Sequence, residues 1–229
     1  MAPSPAPLVI AIDGPSASGK GSTSRELARR LGFLHVDTGA MYRALTWHCQ
    51  QAGLIPNDAE GRELTPAEQS SVAQACETWP VELLARAGHL VVAVGGQVPD
   101  AELRSTAVTS YVARVSHVPE VRDWMLGFQR GCAQFGSLVM DGRDIGTRIF
   151  RETPCKFFLH ARDEVRAKRG QNDGHGGGVI DRDRLDQDLN QPAADAVLID
   201  TSEHTVAEIV EQVLAIIEQR QPPEASAPV

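Results

Sequence analysis

The sequence predicts an α/β protein in which a parallel β-sheet is covered by helices on both faces. Three observations support this prediction. Short apolar stretches alternate along the chain with segments of helical periodicity. These stretches are nearly continuous in apolar residues, which is typical of parallel strands buried on both faces. The first of them leads directly into a glycine-rich loop and then into a helical pattern, as in a βα unit.

Four apolar stretches are the predicted strands of this sheet. The first, LVIAID at residues 8–13, is rich in β-branched side chains and ends at the glycine-rich loop. Similar short stretches follow at residues 137–141, 155–161 and 196–200, with helical patterns between them. Because parallel strands need crossover connections, this alternation favours βα units over hairpins.

Two predicted helices have one clearly apolar face each. The helix after the loop, STSRELARRLGF, places Leu27, Ala28 and Leu31 together and ends at Gly32, which suits a C-terminal cap. The last helix, TVAEIVEQVLAIIEQR, also has apolar residues at helical spacing. They are Val206, Ile209, Val210, Val213, Leu214 and Ile217. Both helices are therefore expected to pack against the sheet.

Residues 57–104 interrupt the alternation of strands and helices. One helix is predicted near the sequence TPAEQSSVAQAC. The Gly95-Gly96 pair, which stands between apolar residues, predicts a hairpin turn. We interpret residues 57–104 as a small α+β lobe inserted into the α/β core.

The resulting domain organisation is a single domain over residues 8–220. Its core comprises residues 8–56 and 105–220, on either side of the inserted lobe. Residues 1–7 are predicted to be a flexible N-terminus. The proline- and alanine-rich residues 221–229 have little apolar surface to bury and are predicted to be a disordered tail.

Length, composition and charge exclude several classes of protein. The 229 residues are 42% hydrophobic and 23% charged, which favours a folded domain with a sizeable core. The net charge of −8 argues against a protein that coats nucleic acid or binds a membrane surface. No signal peptide and no apolar run of about 20 residues is present, so we expect a cytoplasmic protein without a membrane partner. Its four cysteines form no C-x-x-C pair and are expected to be buried free thiols.

The glycine-rich loop predicts a phosphate-binding site. It follows the pattern G-x-x-x-x-G-K-[ST] up to the last place, where Gly21 precedes the hydroxyl of Ser22. Backbone N–H groups of such a loop, with the N-terminus of the next helix, form a nest for anions, and Lys20 adds a mobile positive charge. The predicted ATP-binding residues are Gly14, Pro15, Ser16, Ala17, Ser18, Gly19, Lys20, Gly21 and Ser22. Mg²⁺ is expected as the accompanying cation.

The loop alone does not identify the acceptor of the phosphoryl group. Water would make the protein an ATPase or GTPase, and a second substrate would make it a kinase. A GTPase is expected to carry N-K-x-D for guanine, and no asparagine of this chain is followed by lysine. The GTPase alternative is therefore disfavoured.

Three motifs together resemble the bacterial cytidylate kinases, a family of nucleoside monophosphate kinases. They are GPSASGKGSTSRELA, HVDTGAMYRAL and MDGRDIGTRIF, and further blocks follow in the family's order up to ADAVLIDT at residues 194–201. The family's loop reads G-K-G-[TS], so the position of Ser22 is a family feature. The resemblance implies a three-layer fold with about five parallel strands, an inserted nucleotide-binding lobe and a short lid. It also implies transfer of the γ-phosphoryl group of ATP to CMP or dCMP.

The resemblance also implies roles for particular residues. Arg43 matches the family's clamp on the acceptor phosphate, where a guanidinium can bind in a bidentate manner, although a surface arginine is the alternative. Asp37 and Thr38 match polar groups beside that phosphate and the metal, with Ser22 as the other metal residue. Thr38 alternatively caps a helix.

A second set of residues matches the groups that bind the cytosine base. Asp144 would accept a hydrogen bond from the cytosine amino group, which uracil lacks. Arg143 would lie between base and phosphate, and Arg122 would donate to the acceptors of the ring. Asp141 lies in the same DGRDIGT segment, and this residue could instead serve only to form a tight turn.

The lid of the family is matched by residues of about 166–186. Arg166 and Arg169 match arginines that close over the transferring phosphoryl group and exclude water. Arg182 and Asp186 match an R-D-x-x-D block that contacts the phosphates and the ribose, although an exposed helix with paired charges would also explain it.

Lys20, Arg143, Arg166 and Arg169 are the predicted catalytic residues, acting by positioning and charge neutralisation. The short, glycine-rich lid, Leu189 and Ala113 depart from the usual family pattern and leave the choice between CMP and dCMP open. A kinase of the same fold for UMP, AMP or a small metabolite is one alternative function. A nucleotide-binding ATPase or sensor is the other. No heptad repeat is present, so we expect a monomer.

Overall fold

The computed structural model describes residues 7–172 and 190–220. The chain forms two compact units. The first unit comprises Met1–His35 and Gly136–Val229, and the second comprises Val36–Phe135. The predicted disordered tail, most of the predicted flexible N-terminus and most of the predicted lid lie outside the described residues.

The described residues contain seven strands and seven α-helices. The strands are β1 (Val9–Asp13), β2 (Leu34–Asp37), β3 (Val81–Arg86), β4 (His89–Val94), β5 (Leu138–Gly142), β6 (Cys155–His160) and β7 (Val197–Asp200). The helices are α1 (Lys20–Leu31), α2 (Thr38–Gln51), α3 (Pro66–Thr78), α4 (Thr106–Ser116), α5 (Pro119–Gly131), α6 (Asp163–Asn172) and α7 (Val206–Arg220).

A parallel sheet forms the centre of the first unit. Its strands lie in the order β5-β1-β6-β7, with the start of β2 next to β5. Ile12 is opposite Asp141 on β5, and Asp13 is opposite Phe158 on β6. Because the strands are parallel, their carboxyl ends meet at one edge, where ligands bind in open α/β folds. The predicted α/β fold and its four predicted strands are confirmed.

Helices α1 and α7 cover this sheet with the apolar faces that the sequence predicted. Leu27 and Ala28 of α1 are buried in the same core as Ile209, Val210 and Val213 of α7. Ile217 of α7 belongs to this core as well, and the strands contribute its other members: Ile10, Ile12, Val139, Cys155, Phe157, Leu159 and Ile199. Burial of this apolar surface is the main stabilisation of the sheet.

The second unit contains the predicted helix and a β-hairpin. Helix α3 begins after Thr65, which forms a capping box with Glu68. Strands β3 and β4 pair in antiparallel register through a turn at Ala87-Gly88, where both residues have positive φ. The predicted turn at Gly95-Gly96 also exists, because both glycines have positive φ and Val94 bridges to Gln97, but it follows the hairpin strands and does not join them.

All four cysteines are buried and free, as predicted. Burial raises the pKa of the Cys49 thiol to about 12, so this thiol stays protonated at neutral pH. Among the described residues, no helix combines the length and the apolar character needed to cross a membrane.

Candidate active site

The glycine-rich loop connects the end of β1 to the start of α1. Gly14 has a φ of 145°, and a Cβ at this position would lie 2.0 Å from the carbonyl oxygen of Leu159. Gly19 caps α1 in a left-handed conformation with a φ of 90°. Only glycine combines this backbone geometry with such close approach. The strand, loop and helix that the phosphate-binding prediction requires are therefore present.

The side chain of Lys20 folds back over the loop. Its Nζ donates a hydrogen bond to the carbonyl oxygen of Pro15 at 2.7 Å. This carbonyl oxygen is an uncharged acceptor. Phosphate oxygens would be stronger partners for the ammonium group than a carbonyl.

Two of the predicted catalytic arginines converge on Ser16 in the loop. Arg143 donates to the Ser16 hydroxyl at 2.7 Å, and Arg166 donates to the Ser16 carbonyl oxygen at 3.1 Å. Arg166 is buried and also forms an ion pair with Asp163 at 2.7 Å, one turn earlier on α6. Segments far apart in the sequence thus bring two guanidinium groups to one loop residue.

The third predicted arginine reaches the loop through Thr201, which follows β7. Arg169 donates to the Thr201 hydroxyl at 3.0 Å and to the Thr201 carbonyl oxygen at 2.7 Å. The same hydroxyl donates to the carbonyl oxygen of Ser18 at 2.8 Å. With Lys20 and the two arginines on Ser16, the loop carries four cationic side chains.

A cavity of about 360 Å³ adjoins the loop within the first unit. One wall consists of loop and α1 residues, and the opposite wall comes from Arg169 and the connection between β7 and α7. Its lining residues are Ala17, Gly19, Ser22, Thr23, Arg169, Thr201, His204, Thr205, Val206 and Ile209. A cavity of this size lies within the usual range for small-molecule sites.

The DGRDIGT segment begins at the carboxyl end of β5, next to the loop strand β1. It continues into a short π-helical segment, Ile145–Ile149. Asp13 accepts hydrogen bonds from the backbone N–H groups of Ile145 and Gly146, both at 2.8 Å. Asp144 is half-buried, and its backbone carbonyl oxygen accepts a hydrogen bond from the backbone N–H of Arg148. The loop strand therefore fixes the segment that carries Arg143 and Asp144.

Burial raises the pKa of Asp13 to about 6, and the nearby Asp144 acts in the same direction. The two backbone N–H groups and Lys20 oppose this rise. Since the folded protein holds the proton more tightly than the unfolded chain does, Asp13 adds stability at low pH. This contribution is complete below pH 4 and is lost as the pH rises through about 6.

We expect Asp13→Asn to remove this pH dependence. Between pH 4 and pH 7.5, the unfolding free energy of the variant should rise relative to wild type by up to about 3 kcal/mol. Urea denaturation at several pH values measures the difference. The exposed Glu164, replaced by glutamine, serves as the control. Parallel curves for wild type and Asp13→Asn would contradict the assignment.

A buried His–Asp pair lies beside the loop, and the sequence did not indicate it. Nε2 of His35 lies 2.7 Å from Oδ2 of Asp141, and both side chains are buried. The other carboxylate oxygen of Asp141 lies 4.0 Å from where a Cβ of Gly21 would be. Asp141 therefore has a specific partner next to the loop, which a tight turn alone would not require.

The second unit holds the residues predicted to bind the acceptor phosphate. Arg43 donates from one guanidinium nitrogen to the Leu103 carbonyl oxygen and to the Thr109 hydroxyl, both at 2.9 Å. These contacts hold the half-buried Arg43 side chain against Leu103 and Thr109 of the same unit. The proposal that Thr38 caps helix α2 is wrong, because Asp37 is the cap and accepts from the Ala40 N–H at 3.1 Å.

Thr38 and Arg122 of the second unit differ in how far they are buried. Thr38 is the first residue of α2 and is buried. Arg122 lies half-buried in the first turn of α5, where its backbone N–H bonds the Val118 carbonyl oxygen. Of the other predicted acceptor residues, Arg182 and Asp186 lie outside the described residues.

The predicted metal residues offer oxygen atoms of the type that Mg²⁺ prefers. The Ser22 hydroxyl is exposed and lines the cavity, and Asp37 supplies a carboxylate. Within the described ranges, no group of three or more His, Cys, Asp or Glu residues could hold a metal. Mg²⁺ is usually bound by few protein ligands together with phosphate oxygens and water.

Comparison with known proteins finds relatives over nearly the whole chain. A family model described as cytidylate kinase matches residues 10–219. A cytidylate kinase of Nocardia farcinica is 39% identical over 93% of this chain and 95% of its own length. One from Geobacillus kaustophilus is 37% identical over 93% of this chain and 97% of its own. The solved structure of TT1252 from Thermus thermophilus covers 93% of this chain and 97% of that one at 16% identity, with a TM-score of 0.46, a likeness too low to carry an argument.

Proposed function

This chain belongs to the cytidylate kinase family, so it transfers a phosphoryl group from ATP to CMP or dCMP, and we propose that the cations around residues 14–22 carry out this transfer. One observation supports this proposal above the others. Lys20, Arg143 and Arg166 bind loop residues directly, and Arg169 binds the loop through Thr201.

The donor ATP would lie along the loop. Its phosphates would accept from backbone N–H groups of the proposed ATP-binding residues. These residues are Gly14, Pro15, Ser16, Ala17, Ser18, Gly19, Lys20, Gly21 and Ser22, and all of them except Pro15 have a backbone N–H to donate. Its nucleoside would occupy the cavity of about 360 Å³, which starts at the loop and is walled by the connection between β7 and α7. Lys20 would exchange the Pro15 carbonyl oxygen for a phosphate oxygen.

Catalysis would come from positioning and from neutralisation of charge. The transferring phosphoryl group is metaphosphate-like, with negative charge spread over its oxygens. Lys20, Arg143, Arg166 and Arg169 offer fixed cations where that charge develops, and such preorganised groups lower the barrier. The acceptor phosphate is already an anion, so no strong general base is assigned.

The acceptor would be bound by one set of residues at its phosphate and by another set at its base. Asp144 would accept from the cytosine amino group, and the guanidinium groups would hold the phosphate and the ring. The proposed CMP-binding residues are Thr38, Arg43, Arg122, Arg143, Asp144, Arg182 and Asp186. Arg43 suits the phosphate because its guanidinium nitrogens can bind two oxygens at once.

Ser22 and Asp37 would hold Mg²⁺, mainly through water. The ion supplies charge neutralisation between the phosphates when it is bound. We further propose a monomeric, cytoplasmic enzyme with one kinase domain over residues 8–220. In it, residues 57–104 form the nucleotide-binding lobe and residues of about 166–186 form the lid.

A panel of acceptors tests the function. With ATP and Mg²⁺, we expect rapid ADP formation with CMP and dCMP, and rates at least about tenfold lower with UMP, AMP and GMP. A coupled assay for ADP measures these rates, and mass spectrometry identifies CDP or dCDP. Equal use of UMP or AMP would contradict the base preference. Acceptor-independent hydrolysis would indicate an ATPase instead.

A further inference from the structure

Thr201 joins three parts of the first unit that are separate in sequence. Its hydroxyl donates to the Ser18 carbonyl oxygen in the loop at 2.8 Å, and its backbone N–H donates to the His160 carbonyl oxygen at the end of β6, also at 2.8 Å. From helix α6, Arg169 donates to the hydroxyl and to the carbonyl oxygen of Thr201. Thr201 is only 3% exposed, so these bonds are shielded from water.

The Thr201 hydroxyl can hydrogen-bond Ser18 and Arg169 at the same time, because it donates to one and accepts from the other. A hydroxyl has one donor and two acceptor lone pairs. The Thr201 hydroxyl lies 2.8 Å from the Ser18 carbonyl oxygen and 3.2 Å from that of His160, so the shorter bond goes to Ser18. Its lone pairs accept from the Arg169 guanidinium at 3.0 Å. Such a chain of hydrogen bonds polarises each member and strengthens the next bond.

This arrangement holds the charge of Arg169 beside the loop. A Cβ on Gly19 would lie 3.9 Å from the Thr201 hydroxyl and 4.0 Å from the nearer guanidinium nitrogen of Arg169. Both bonds of Arg169 to Thr201 go to neutral oxygen atoms. By contrast, Arg166 on the same helix forms an ion pair with Asp163.

We propose that Thr201 is a positioning residue for phosphoryl transfer, which acts by holding the Arg169 guanidinium at the phosphate loop. The proposal rests on the function proposed above. The hydroxyl and the carbonyl oxygen of Thr201 fix two guanidinium nitrogens, so the orientation of the group as well as its location is set. Loss of the hydroxyl releases one of these nitrogens and weakens the alignment.

A double-mutant cycle with Arg169→Ala tests this role. Thr201→Val keeps the shape of the side chain and removes the hydroxyl, and Thr201→Ser keeps the hydroxyl. We expect Thr201→Val to lower kcat with CMP at least about tenfold and to weaken ATP binding severalfold, whereas the serine variant stays within about threefold of wild type. In the Arg169→Ala background, Thr201→Val should change either quantity less than twofold.

The cycle separates positioning from a purely structural role. If Thr201 only supported the fold or the loop, the valine substitution would have the same effect in both backgrounds, and that result would overturn the proposal. Wild-type kinetics for Thr201→Val would overturn it as well. Thermal unfolding verifies that each variant is folded, and Thr201→Ala enters the same cycle if the valine variant is not.

The measurement of ATP affinity tests the role of Thr201 separately from the proposed function. Titration calorimetry with ATP alone requires no acceptor. A wild-type chain that binds ATP and phosphorylates neither CMP nor dCMP would contradict the proposed function. In that case the coupling of Thr201 and Arg169 in ATP affinity still supports the positioning role, and its absence still overturns it.

Discussion

Lys20→Met is expected to lower kcat with CMP by about a hundredfold to a thousandfold while the protein stays folded. The Lys20 ammonium group donates to a loop carbonyl oxygen, and its charge is suited to the phosphates that are transferred. Methionine keeps the unbranched side chain and a good helix propensity at the start of α1, so the loss isolates the charge.

The exposed Arg29 on α1 provides the control. Arg29→Met removes a positive charge from the same helix and should keep kcat within about twofold of wild type, because exposed substitutions away from the reacting groups have small effects. Circular dichroism and thermal unfolding monitor the fold of both variants. A Lys20→Met enzyme with near-normal kcat would rule out the phosphate-loop mechanism.

Asp144→Ala is expected to lower kcat/KM for CMP by about ten- to a hundredfold and to affect the residual use of UMP much less. The reason is that, in the proposed complex, the carboxylate would accept from the amino group of cytosine, and uracil has a carbonyl oxygen at that place. Steady-state kinetics with both acceptors at saturating ATP measure the change in the ratio. KM for ATP should stay close to the wild-type value.

Glu152→Ala is the control for this substitution, because it removes an exposed carboxylate from the same stretch of chain. Neither acceptor should be affected by it. Equal losses for CMP and UMP in the Asp144 variant would show that Asp144 does not recognise the base. A fall in thermal stability alone would indicate that Asp144 stabilises the start of the π-helical segment, which it precedes, and does not recognise the base.

The elements that could be predicted from the sequence are those with local signals. The strand at residues 8–13 has a continuous apolar run, and the last helix has a strict apolar periodicity. The loop between β1 and α1 was predictable because its glycines and Lys20 follow a fixed spacing. The turn at Ala87-Gly88 was missed, because the Gly95-Gly96 pair gave a stronger turn signal nearby.

The contacts that were not predictable join residues far apart in the chain. His35 meets Asp141, and Thr201 meets Ser18, through tertiary packing that no local pattern encodes. Asp13 looked like the last residue of an apolar strand, yet its carboxylate binds backbone N–H groups more than 130 positions away. Such groups become apparent only when the sheet places the strand ends side by side.

The bonds of Asp13 to Ile145 and Gly146 attach the segment that carries Arg143 and Asp144 to the strand that enters the phosphate loop. Arg143 adds a second attachment through the Ser16 hydroxyl. The residues proposed for the donor and the residue proposed for the base are therefore tied together by hydrogen bonds within the first unit, so that a displacement of one is expected to displace the other.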